Sequence, residues 1–555
     1  MKETKLKDWV RSGSPWIWLN ASAMSISMIS VIGLLLLIGV RGLGHFWPSD
    51  VLQAGYIERQ GKVEQIIGSI EEVETNTAAY LRQLGYTLPE GIETADRYLM
   101  KLGNRDVTGR DFRWVLAASL QDIRYPPDIV VVERREWGNQ YGMLTGLKEH
   151  GQAVAGGTDL WTELQRRLAR TLALHKEIDH IEKVEIGGVN YQIERLRLDK
   201  RRLELDGVTD PQAFADITSR RGQLQGKYKK LTDRLAILNQ AIKSDSYVMH
   251  TANGKDVELP LAKMVRAYRP NQMSLLEKTG YYFSKLREFI FDDPREANTE
   301  GGVFPAIFGT VLMVLIMALM VTPFGVVAAV YLHEYAHQGL LTRIIRIAVN
   351  NLAGVPSVVY GVFGLGFFVY VIGGRIDQLF FPEALPAPTF GTPGLLWSSL
   401  TLAILTVPVV IVATEEGLSR IPNAIREGSL ALGATKAETL WRTVLPMASP
   451  AIMTGMILAV ARAAGEVAPL MMVGVVKLAP SLPLDGNFPY LHLERKFMHL
   501  GFHIYDVGFQ SPNVEAARPL VYSTSLLLVI IIVVLNLAAI RIRNNLREKY
   551  HATEH

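Results

Sequence analysis

The 555-residue chain contains no cysteine, which removes disulfides, thiolate metal sites and cysteine nucleophiles from consideration. It also lacks any GxxxxGK[ST] run, so it has no phosphate-cradling loop of its own, and energy from ATP would have to come through another polypeptide. A formal net charge of +4 is too small to suggest a nucleic-acid partner. Charge is also absent locally. Residues 12–40, 303–332, 347–374, 384–414 and 519–540 include no Asp, Glu, Lys or Arg, and a sixth such run, 443–461, is broken by Arg462 and Glu466 before it becomes apolar again. Crossing roughly 30 Å of hydrocarbon takes about 20 helical residues, and each run is long enough. These runs predict an all-α polytopic membrane protein with six transmembrane helices.

Lys2, Lys5, Lys7 and Arg11 precede the first run. That run is longer than the apolar core of a secretory signal, and Arg41-Gly42-Leu43 follows it instead of a small-x-small cleavage site, so it reads as an uncleaved anchor. The positive-inside rule places the N-terminus in the cytoplasm. It does the same for the loops carrying Arg343 and Arg346, and Arg420, Arg426, Lys436 and Arg442, and for the tail with Arg541, Arg543, Arg547 and Lys549. Both ends are then cytoplasmic, and the large charged segment after the first helix faces the periplasm or exterior. The boundaries follow: 1–43 for the N-terminus and first helix, 44–300 for the insert, 301–545 for a five-helix core with a cytoplasmic loop at 415–446, and 546–555 for the tail.

Within the insert, Ile217, Leu224, Tyr228, Leu231, Leu235, Leu238 and Ile242 keep heptad-like spacing, as do shorter sets upstream. With breaks at Gly187-Gly188 and from Asp206 to Pro211, residues 159–243 read as an antiparallel coiled-coil hairpin in a mainly helical extracytoplasmic insert. It serves either as a spacer or as a docking arm about 45 Å long. Asn253-Gly254 between two apolar runs signals a β-hairpin. The aromatic stretch 273–291 reads as an interfacial helix.

The cytoplasmic loop 426–435, closing at Leu445-Pro446, reads as two short helices. Gly433 turns between them, and Pro446 stops the second before the chain re-enters the membrane. Glu427, Gly428, Ser429, Gly433, Ala434, Leu445 and Pro446 together resemble the EAA loop of ABC importer permeases, although Gly and Ser stand where two alanines are usual and Thr443 stands at an aliphatic position. The segments 301–310, 354–361 and 461–469 resemble the phosphate-specific, PstA-type branch. This resemblance covers the first span and about 299–545.

The resemblance implies a type I permease fold and a subunit of an ATP-driven importer for inorganic phosphate, without cofactor, catalytic residue or metal. It further implies a second permease chain (PstC-like), a dimer of ATP-binding subunits (PstB-like) docking on the loop, a periplasmic phosphate-binding protein (PstS-like) and the lipid bilayer.

Arg462 and Glu466, spaced i and i+4 among small residues of the fifth span, are the expected substrate-path pair. A lone arginine at mid-membrane costs roughly 2.5–3.5 kcal/mol, and a guanidinium offers planar donors matched to an oxyanion. The alternative is a structural salt bridge between subunits. Glu415, Glu416 and Arg420 form either an interfacial charge cluster or part of a cytoplasmic exit. His333-Glu334-Tyr335-Ala336-His337 matches the zinc-protease pattern HExxH and defines one rival, an integral membrane metalloprotease. Its imagined third ligand, Asp485, falls on the opposite side of the membrane. A second rival is a non-transporting coiled-coil membrane sensor.

Overall fold

The computed structural model describes residues 9, 12–57, 62–86, 88, 91–109, 111–154, 159–511 and 514–551. Lys2, Lys5, Lys7 and Arg11, and the end of the tail at 552–555, lie outside them. Among the described residues, six helices are long and apolar enough to cross a membrane: Ser14–Gly44, Phe304–Tyr335, Ser357–Phe380, Leu395–Ser419, Lys436–Gly465 and Ala517–Asn545, spans one to six. Their alternation puts the insert and the connections before spans four and six on one side, here the insert side. The connections before spans three and five lie on the other, the loop side.

Span four is the most enclosed. Spans two, four and five share a core of Met313, Met317, Val321, Leu402, Val410, Ala459 and Ala463. Their approach depends on small residues: a Cβ on Gly455 would lie 2.7 Å from that of Ala413, closer than two methyl groups can pack. The run 347–374 is not one span, as expected from its lack of charge. Residues Leu340–Leu352 form a separate helix, the chain turns at Gly354-Val355-Pro356, and span three starts at Ser357. Pro356 explains the break, because it disfavours helical geometry in the residue before it.

The all-α description holds for the spans but not for the insert, which contains two large antiparallel sheets, and a two-stranded one pairing Pro294–Arg295 with Glu300–Gly301, besides its helices. The first has the order β4-β3-β2-β1-β5, from β1 (Val51–Ile57), β2 (Val63–Thr77), β3 (Thr94–Lys101), β4 (Phe112–Leu116) and β5 (Leu120–Arg124). The second has the order β10-β9-β7-β6-β11, from β6 (Ile129–Arg134), β7 (Gln140–Glu149), β9 (Asp245–His250), β10 (Asp256–Pro260) and β11 (Met264–Tyr268), with β8 (Gln152–Ala153) paired to β7. The expected turn at Asn253-Gly254 joins β9 to β10, with Gly254 at φ 73°. The fully buried β6, Ile129-Val-Val-Val, shows no period-2 alternation, the form a strand takes when both faces are covered.

The helical hairpin emerges from the second sheet. One arm is helical from Leu160 to Leu205 and the other is Pro211–Ile242, capped by Asp210. Gly187-Gly188 does not break the first arm, because a π-helical stretch at Ile181–Ile186 carries the helix through. Ile181, Val189 and Leu231 close the seam between the arms. The first arm is pinned onto the chain's own insert-side connections. Arg202 pairs with the buried Glu383, the Tyr191 hydroxyl donates to the Phe488 carbonyl, and Lys183 meets Asp293 at 2.5 Å. The helix Leu275–Phe291 begins with a Ser274/Glu277 capping box and leaves Leu275, Leu276, Phe283 and Phe291 exposed.

Candidate functional site

Span five is one continuous helical rod of 30 residues from Lys436, about 45 Å long. Pro446 therefore does not stop the second loop helix as expected. It sits in the first turn after a π-helical stretch, Leu440–Val444, where its missing N–H breaks no regular ladder. The loop helix and the span are accordingly continuous.

At the far end of the rod, Gly465 is the last helical residue and Glu466 is already extended at φ −80°, ψ 130°. The expected picture of Arg462 and Glu466 stacked on one face within the helix is corrected: Arg462 closes the last turn and Glu466 lies just beyond it. The Arg462 Nε lies 3.7 Å from Glu466 Oε1, with side-chain exposures of 32% and 21%. This is an ion contact without a hydrogen bond, and no N–H of Arg462 donates to another described residue. Proximity to the helix C-terminus suits the cation.

Around the pair, two of the resembling segments touch. A Cβ on Gly361 would lie 2.7 Å from Pro469 Cα, so 354–361 packs on 461–469. The third segment joins through the loop after span five: the Leu500 N–H donates to Thr310 Oγ1 at 2.9 Å, and Gly501 presses on Val467. Two buried histidines there were not anticipated. His499 and His503 hold three ring nitrogens without a partner, and burial pushes both down to about 4, so they stay neutral. Their i, i+4 spacing is visible in the sequence, but nothing there signals that they are buried.

On the loop side, Asn423–Ala431 is followed by a tight turn at Gly433, φ 90°. The Gly433 N–H donates to the Leu430 carbonyl and the Ala434 N–H to that of Ser429, a Schellman ending that needs a left-handed residue. Thr435 and Glu438 then form a capping box. Ser429 Oγ lies 2.9 Å from Thr439 Oγ1 and ties the two helices together, so the serine at an alanine position has a structural use. Glu427 and Gly428 face outward, and Leu432 is 92% exposed. Leu445 and Pro446 open the transmembrane part of the rod.

Arg426 holds this loop to the spans. It pairs with Glu334 at 3.1 Å and donates to the carbonyls of Ile421 and Leu418 at 2.7 and 2.8 Å. Lys436 donates to the Glu334 carbonyl. The glutamate of the HExxH pattern is therefore engaged by the loop. The pattern also lacks its helix: a π-helical turn ends at Tyr335, and Ala336 is extended, so His333 and His337 do not share a face. Asp485 lies on the insert side, bonded to His492 and Arg495.

The expected exit cluster is divided. Glu415 faces Arg346 at 3.4 Å, and Arg346 also donates to the Leu332 carbonyl. Glu416 and Arg420 form an exposed contact at 4.0 Å.

Residues 321–551 match the family described as "Binding-protein-dependent transport system inner membrane component". The chain is 35% identical over 270 residues to "Phosphate transport system permease protein PstA 1" of Mycobacterium tuberculosis, covering 48% of this chain and 77% of that protein. It is 29% identical over 221 residues to a probable phosphate transport system permease protein PstA of Methanocaldococcus jannaschii, covering 39% and 67%. Among solved structures, it is similar to the inward-facing MetNI methionine ABC transporter at 19% identity and a TM-score of 0.33, covering 43% of this chain and 94% of that one. The chain belongs to the PstA family of phosphate transport system permease proteins.

Proposed function

We propose that this chain is the permease subunit of an ABC importer for inorganic phosphate, with Arg462 presenting its guanidinium to the anion. The observation that carries this reading is a charged group with free donors at one end of a rod whose other end is the coupling loop. A phosphate oxygen accepts from Arg462. Glu466, held by no hydrogen bond, balances the charge when the anion has left, which keeps release possible.

A second permease chain completes the path in this reading, and a soluble phosphate-binding protein delivers the anion from the periplasm. Two ATPase subunits dock on the cytoplasmic loop through Glu427, Gly428, Ser429, Gly433 and Ala434. Both termini are then cytoplasmic, in the bacterial inner membrane. ATP-driven movement of the loop tilts the rod as a unit, so the insert-side end that holds Arg462 opens and closes in the alternating-access sense. Glu415 and Arg346 lie where the anion would leave, and Glu416 and Arg420 lie at the rim.

The test is phosphate uptake by proteoliposomes holding the complete complex with Arg462→Ala. Uptake is expected to collapse while assembly is retained. Wild-type uptake in an intact complex would overturn the role given to Arg462.

A further inference from the structure

A cavity of about 200 Å³ lies where the two sheets of the insert meet the ends of spans one, two and six. Its upper wall includes Ser69, Lys101, Tyr141 and Tyr268 from both sheets. Its floor is Phe46 and Trp47 after span one, Glu300 and Gly301 before span two, and Leu520 of span six. The position puts any occupant beside the end of span one, the start of span two and Leu520 of span six.

Most charges around this space are already engaged. Glu133 accepts from Tyr281 and Lys285, Glu71 accepts from Ser69 at 2.9 Å, and Glu296 accepts from the N–H groups of Trp137 and Gly138. Lys101 and Glu300 are not, and Arg105 meets only the face of Trp137, 5.9 Å away. Neither the Lys101 ammonium nor the Glu300 carboxylate has a hydrogen-bonding or ion-pair partner among the described residues, and they do not reach each other. Opposite charges lining one cavity and left apart define a ligand that carries both complements.

We propose that this cavity binds a compact zwitterion whose oxyanion is held by Lys101 and whose ammonium is held by Glu300. Burial pushes the Glu300 carboxyl up to about 7, and an ammonium beside it restores the ionised form. The aromatic floor at the membrane boundary admits two sources of the same chemistry, a free amino-phosphate or the headgroup of phosphatidylethanolamine. The proposal is independent of the anion carried along the translocation path.

The test uses the full chain in phosphatidylglycerol nanodiscs, titrated calorimetrically with phosphoethanolamine, methyl phosphate and ethanolamine. Phosphoethanolamine is expected to bind about tenfold or more tighter than either half-molecule. Glu300→Gln should reduce it to the level of methyl phosphate, and Lys101→Met to that of ethanolamine. Each variant keeps its matching half, which separates loss of the site from loss of the fold. Native mass spectrometry of chain extracted from phosphatidylethanolamine membranes distinguishes the sources: one retained lipid, displaced by phosphoethanolamine, supports the headgroup, and no lipid with calorimetric binding supports the free solute. Half-molecules binding as tightly as the whole would overturn the site. So would the absence of both heat and retained lipid.

Discussion

Arg426 and Glu334 meet at 3.1 Å on the loop side, with side-chain exposures of 15% and 11%, and Arg426 also donates to two backbone carbonyls. Arg462 and Glu466 on the insert side stand 3.7 Å apart with no hydrogen bond and are more exposed. The residue types are the same and the consequences differ. A guanidinium with its donors satisfied is a staple, and removing it leaves a half-buried carboxylate with only His333 at 3.1 Å beside it. A guanidinium with open donors is a receptor, and removing it affects the visiting anion more than the fold. The proposed division of labour, anchoring at one end of the rod and recognition at the other, rests on this contrast.

The strongest way to break the contrast is Arg426→Ala. It should destabilise the chain by about 3 kcal/mol and abolish capture of the ATPase subunit. A melting temperature equal to wild type would remove the staple from the account. Next, Arg462→Ala should lower uptake by about tenfold to a hundredfold, the worth of one charge-assisted hydrogen bond, at unchanged melting temperature. Arg462→Lys should recover only part of it, because an ammonium lacks the planar fork. A fall in stability matching that of Arg426→Ala would make both pairs structural.

Ser429→Ala deletes the bond to Thr439 and should cost about 1 kcal/mol, read as a lower melting temperature with ATPase capture weakened but present. The smallest effect concerns pH. With its carboxyl raised to about 7, Glu300 keeps its proton in the folded chain over a range where the unfolded chain has released it. Its contribution to stability therefore falls as pH rises from the ordinary carboxylate range to 7. Melting should be roughly 1 °C lower at pH 8 than at pH 5 on this account, and Glu300→Gln should abolish that component.

The spans were legible because charge is excluded from hydrocarbon, and the turn in the loop before span five because Gly433 must adopt a positive φ. What escaped was set by distant partners. Glu334 and Arg426 are 92 residues apart, and no local pattern joins them, so the glutamate read as part of a zinc motif. The π-helical stretches at Ile181–Ile186 and Leu440–Val444 each carried a helix through a local breaker, Gly187-Gly188 in one case and Pro446 in the other. The buried β6 resembled any short apolar run, whereas the turn at Asn253-Gly254 announced itself through its residues. Arg462 and Glu466 were conspicuous as charges in an apolar run. That the helix ends between them was not, because Gly465 can sit inside a helix or close one.

The entry and exit of the insert lie side by side. Phe46, just after span one, packs its ring 5.1 Å from that of Phe289, and the Val303 N–H, just before span two, donates to the Phe289 carbonyl at 2.8 Å. A segment whose two ends meet can be gained or lost as a cassette without moving the helices it interrupts. A short linker from 48 to 302 should accordingly leave the six spans able to assemble. The insert is then a unit held to the transport core at its two adjoining ends and through the contacts of its first arm.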